Sequence, residues 1–149
     1  MSQQFARDVS LDGVRGRGDN VLLGALAGLV AALIGAGVWM AVTVGLNLHV
    51  GYVALGVGAL VGLAIRVAGN GRGAMFGLMG AVFTLLGCLG GEVLARVQAL
   101  TSPEHDFYNT LTSVDMVQMV SGILTQAGPI DYLIYGIGIF EGYKLSMRG

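Results

Sequence analysis

Few side chains in this sequence have the chemistry to act, and most of them stand apart from one another. Glu92 sits near the end of a long apolar stretch. A carboxylate within a membrane span is by default a candidate proton or cation site. Arg96 follows one helical turn later, in the favourable acid-then-base order. A span starting near Ala74 reaches the far interface by about residue 93, at about 1.5 Å per residue. Glu92 and Arg96 therefore read first as an interfacial ion pair and second as a proton site. Arg66 and Glu141 are a further candidate, an intramembrane charge pair. Arg66 stands at the end of its apolar segment and Glu141 about one turn inside the corresponding end of its own. They could pair within one chain or between copies, and an acid there is costly unless paired or hydrated. The competing reading is local: Arg66 snorkels to the headgroups, and Glu141 pairs with Lys144 three residues on.

The remaining reactive groups point to ordinary structure. His49 stands in a turn without a second histidine or carboxylate at ligand spacing, and His105 lies between Glu104 and Asp106 in a polar loop. Asp131 falls in the first turn of a helix, where an acid complements the helix dipole. Tyr132, Tyr135 and Tyr143 resemble an interfacial set more than a substrate cage. Cys88 is the only cysteine, so neither an internal disulfide nor a cysteine-based metal cage can form. Gly56-Val57-Gly58 followed by Gly62 lacks the spacing of a dinucleotide loop and sits in an apolar helix. No Ser/His/Asp, Cys/His or HExxH arrangement occurs. No catalytic residue, cofactor or metal is expected.

The elements that must position these groups are apolar and rich in glycine. Hydrophobic residues make up 54% of the chain and charged ones 11%, with 26 glycines and a net charge of -1. An ordinary soluble domain carries about 25% charged residues, so the composition points to an integral membrane protein. The absence of a Lys/Arg cluster gives no hint of a nucleic-acid partner. After a polar segment over 1–20, four spans are expected at about 21–46, 51–67, 74–95 and 130–147. The first is too long and too little like a cleavable signal to be one. The sequence predicts an all-α bundle of four transmembrane helices.

Small residues recur along the spans at helical spacing. Gly24 and Gly28 form one such pair, Ala54, Gly58 and Gly62 a second row, and Gly73 and Gly77 open a third. In water each glycine would cost a helix about 1 kcal/mol relative to alanine. In a bilayer the helix forms anyway, and these faces let helices approach closely. Trp39, toward the far end of the first span, reads as an interfacial aromatic.

The segment 101–128 breaks the apolar pattern. Ser102-Pro103-Glu104 looks like a helix start, and Ser113-Val114-Asp115 like a second, with Val114, Val117, Val120 and Leu124 on one side. That segment is too short and polar to span and is expected to lie on the membrane surface. Basic residues set the orientation. With the N-terminus inside, Arg7, Arg15, Arg17, Arg66, Arg72, Lys144 and Arg148 are cytoplasmic, and Arg96 alone is outside.

The stretches GVGALVGLAIR and PIDYLIYGIGIFEGYKLS resemble a bacterial family of small four-span membrane proteins with no assigned activity. Some of its members carry an added cysteine-rich zinc ribbon, which this chain lacks. The resemblance covers roughly residues 21–73 and 129–146. It implies the four-span architecture and a bacterial inner membrane, and it implies no chemistry.

Two classes of function remain. A packing or assembly protein would use small faces to bind the bilayer, copies of itself or another membrane protein, and needs little buried charge. An oligomeric channel or carrier for a small solute or ion needs a polar stripe through the full membrane depth. Polar groups here gather near the span ends, with only Thr84 and Cys88 in the middle of the third, which favours the first class. A membrane enzyme would need reactive groups converging at one depth.

Overall fold

The computed structural model describes residues 20–46, 52–70, 73–104 and 106–147. Among these the chain is all-helical, with no strand element: α1 (Val21–Leu46), α2 (Val53–Gly69), α3 (Ala74–Leu100), α4 (Phe107–Ser113), α5 (Met116–Gln126) and α6 (Pro129–Ser146). α1 and α3, of 26 and 27 residues, are long and apolar enough to cross a membrane. α5 and α6 meet the same condition only jointly, as a pair bent by 108°, and α2 is apolar but has 17 residues.

The longer helices pack around a central pair. α2 and α3 touch each other, α1 covers both on one side, α6 covers both on the other, and the backbones of α1 and α6 do not meet. Val57, Val61 and Ile65 on α2 are at most 2% exposed and form the middle of the core with Ala31, Ala32 and Phe76. The outer surface is the reverse of a soluble protein's: Leu22 is 73% exposed and Leu33 65%. Such side chains are at home against lipid tails.

Glycine sets the distance between helices. A Cβ on Gly58 would strike the backbone carbonyl of Gly138, and one on Gly138 would lie 2.8 Å from the Ala54 carbonyl oxygen. One turn on, a Cβ on Gly62 would meet Leu145 Cβ at 2.7 Å and the Gly142 carbonyl oxygen at 3.1 Å. α3 meets α6 in the same way, Gly80 lying against Gly142 and Ser146, and Gly77 beneath the ring of Tyr143. Gly24 packs on Phe76 and Gly69, and Gly28 on Ile65 and Phe83. These are backbone-to-backbone or backbone-to-side-chain contacts, and a methyl group at any of them would force a neighbour to move. Gly73 differs from expectation. It is exposed, and a methyl group added to it would have nothing within 4 Å, because it precedes α3 as its N-cap and lies off the packed face.

Local chemistry explains the helix ends. Asn70 ends α2 in the left-handed conformation (φ 47°), which asparagine tolerates, and returns its N–H to the Arg66 carbonyl at 3.2 Å. The Asn20 N–H donates to the Gly69 carbonyl at 2.9 Å, tying the start of α1 to the end of α2. Asp131 accepts from the Gly128 N–H at 2.9 Å and fixes the bend into α6. Ser146 Oγ donates to the Gly142 carbonyl at 2.6 Å, whereas the buried Thr84 Oγ1 has no partner among the described residues.

The segment 101–128 holds two short helices. The first starts at Phe107, later than Ser102-Pro103-Glu104 suggested, with Asp106 as N-cap. The second is capped by Asp115, whose carboxylate accepts from the Val117 and Gln118 N–H groups. α5 packs Ile123, Met119 and Val120 on Val93 and Val97 of α3. Val117 (78% exposed) and Leu124, expected on the same side as Val120, face outward.

Candidate functional site

One polar cluster is built into the end of the bundle away from Asn20, around Glu92. Glu92 is the nineteenth residue of α3 and is 7% exposed. Gly91 beside it leaves room for a large neighbour: a Cβ there would lie 2.6 Å from Trp39 Cβ. Trp39 of α1 fills that space, is buried (3% exposed), and donates its indole N–H to Glu92 Oε2 at 3.2 Å. Arg96 Nε donates to Glu92 Oε1 at 3.3 Å, and Arg96 Nη1 donates to Gln126 Oε1 at 3.2 Å. Tyr135 of α6 stacks on the same indole, at 5.9 Å between ring centroids and 28° between planes. The cluster thus joins α1, α3, α6 and the last residue of α5. The Trp39–Tyr135 stack bridges α1 and α6, whose backbones do not meet.

This arrangement satisfies a buried charge. Both carboxylate oxygens of Glu92 have a donor, one from a cation whose side chain is 32% exposed. An ionised group in an apolar surrounding is stable only with such partners. As built, the cluster acts as a cross-brace. Among the described residues no three histidine, cysteine or acidic side chains stand close enough to share a metal ion.

The sequence candidates separate clearly. Glu92 and Arg96 are brought together. Arg66 and Glu141, both half-buried, are not: the Glu92–Arg96 pair is the ion pair among the described residues, and neither Arg66 nor Glu141 joins one. Azimuth alone does not separate them: Glu141 lies four residues before Leu145, which meets Gly62, and so stands on the α2 side of α6. Ala54, Gly58, Gly62, Gly24, Gly28 and Gly77 lie in helix contacts within the chain, while Gly73 does not. Asp131 is exposed and caps the start of α6. His49 and His105 lie outside the described residues.

Three participants were not identified from sequence. Trp39, read from sequence only as an interfacial ring, is a buried hydrogen-bond donor. Gln126 and Tyr135 complete its surroundings. Gly138 and Gly142 in α6 had a readable signal, since they repeat the four-residue glycine spacing of Gly58 and Gly62, the pair they face. Compared with protein-family models, curated proteins and solved structures, the chain matches none.

Proposed function

We propose that this chain is a non-enzymatic four-span membrane protein, with both termini cytoplasmic, that works in packing or assembly. It acts as a homo-oligomer or as an accessory subunit of a larger membrane complex in a bacterial inner membrane. α2 and α6 are the two spans added by this reading. At 17 and 18 residues they rise about 26 and 27 Å, just short of a typical hydrocarbon core of about 30 Å.

The observation that carries the reading is the closure of the glycine contacts. Gly58 on Gly138, and Gly62 and Gly80 on Gly142, bring three helices to backbone contact, so the interior is solid where a solute path would run. Of the polar mid-span groups, Thr84 is buried against Gly142 and Cys88 in the hydrophobic core. What the protein offers to other molecules is its apolar outside, which suits association in the bilayer. This also moves the expected assembly surface. The small faces of α2 and α3 are used within the chain, so a partner meets the leucine-rich exterior.

The test combines mass and topology. Purified in mild detergent, the chain is expected to run as a closed oligomer or with a second membrane protein. Cysteines introduced at Ser2, Asn109 and Gly149 in a Cys88→Ala background are expected to label from the cytoplasm, the outside and the cytoplasm. A single-chain mass with no companion protein would refute assembly, and cytoplasmic labelling of Asn109 would refute the topology.

A further inference from the structure

A groove of about 480 Å³ runs along the outer side of the α1–α2 contact and is apolar throughout. Leu23, Leu26 and Ile34 of α1 and Leu60 of α2, each 41–55% exposed, form its ridges. Ala27, Ala64 and Ala68 give it a smooth floor. The lining residues fall on one face of each helix, at steps of three or four on α1 and of four on α2.

The position of the groove along the helices identifies its occupant. Its α1 lining runs from Leu23 to Ile34. Eleven steps at about 1.5 Å give about 16 Å, close to half of a hydrocarbon core of about 30 Å. Leu23 lies in the first turn of α1, and Ile34 near the middle of that 26-residue helix. α2 runs the other way, with Ala68 one residue from its end and Leu60 near its centre. The Asn20–Gly69 hydrogen bond holds the two open ends at the same level. The groove therefore opens at one membrane face and stops near the midplane. A partner helix would run through both leaflets, whereas an acyl chain occupies one.

We propose that the groove holds a single acyl chain of a bilayer phospholipid, from the leaflet at the N-terminal end of α1. This rests on α1 crossing the bilayer, as in the function proposed above, and is independent of assembly. The chain lies between the leucine ridges over the alanine floor. It is held by shape and contact with side chains alone, so no particular headgroup is required.

The experiment uses the full chain reconstituted with dioleoyl phosphatidylcholine, extracted in mild detergent and weighed by native mass spectrometry. Ala64→Phe and Ala27→Phe each fill the groove from its floor. Leu33→Phe, on the exposed side of α1 outside the lining, is the control. Wild type and Leu33→Phe are expected to keep one phospholipid per chain at collision energies that strip the rest. The two plugged variants are expected to keep it about tenfold less, equivalent to losing burial of only about two methylenes. Single-chain lysophosphatidylcholine is expected to compete for the site, because one chain is all it takes. Equal retention by a plugged variant with an unchanged melting temperature overturns the proposal. If Ala64→Phe fails to fold, Ala27→Phe decides by the same criterion. A plugged variant that splits a dimer while its lipid retention is unchanged also overturns it, and assigns the groove to a second copy.

Discussion

Gly56 and Gly58 stand two residues apart on α2 and are expected to respond oppositely to the same methyl group. A Cβ on Gly56 has nothing within 4 Å, and the residue is exposed. Gly56→Ala then acts only through the helix itself, where alanine is better than glycine by up to about 1 kcal/mol. A Cβ on Gly58 runs into the Gly138 carbonyl, with the carbonyl carbon 3.0 Å and the Cα 3.4 Å away. Those are backbone atoms of a packed helix and cannot swing aside, so α2 and α6 must separate. Opening a contact by about 0.5–1 Å forfeits roughly a quarter to a half of its dispersion energy. The Gly62–Gly142 contact one turn away opens with it. Overpacking of this kind costs about 1–3 kcal/mol, and the rigid partner puts Gly58→Ala near the upper figure. The two variants should therefore differ by about 2–4 kcal/mol. Unfolding in dodecyl maltoside by added dodecyl sulfate, followed by far-ultraviolet circular dichroism, resolves that difference. If the two transitions coincide with wild type, α2 and α6 do not pack through this face.

The polar cluster and the charges give two further expectations. Trp39→Phe keeps a ring over Gly91 and beside Tyr135 but removes the donor to Glu92 Oε2, and should destabilise by about 1–3 kcal/mol in the same assay; an unchanged transition would mean that water replaces the indole. For Arg66→Leu and Glu141→Leu, which remove groups that are not paired with each other, the double-mutant losses should add to within about 0.5 kcal/mol, and a larger coupling energy would show that the two meet.

Helix extent and the packed glycine face of α2 were readable in the sequence, and side-chain pairing between helices was not. The apolar runs place α1, α2 and α6 within two residues of their observed ends, and α3 runs five residues past its expected end. The four-residue spacing of Gly58 and Gly62 marks the face of α2 that meets α6. Extending such a row past its helix fails, as Gly73 shows, because spacing carries no information once the backbone leaves the helix. Arg66 and Glu141 were matched by depth alone. Pairing also needs the side chains to reach each other, and these two form no ion pair. Trp39 shows the complementary limit. Its position near a span end fits an interfacial ring, and only the space above Gly91 and the carboxylate of Glu92 make it a core residue.

The middle of the bundle and its Glu92 end are held by different forces, which bears on where it can yield. Through the middle of the bundle, from Gly80 and Gly142 to Gly138 and Ala54, glycine and alanine bring α2, α3 and α6 together through dense, short-range contacts that are insensitive to charge. At the Glu92 end α6 reaches α1 through the stacked rings of Tyr135 and Trp39, and α5 reaches α3 partly through Gln126 and Arg96. These links share Glu92 and Arg96 as their hub, so they loosen together if either charge is lost. Removing one partner of a buried charged contact leaves the other uncompensated, a larger penalty than losing one methyl contact. Local opening should therefore begin at the Glu92 end, with α5 and the first turns of α6 moving first and the glycine contacts holding the remainder in place.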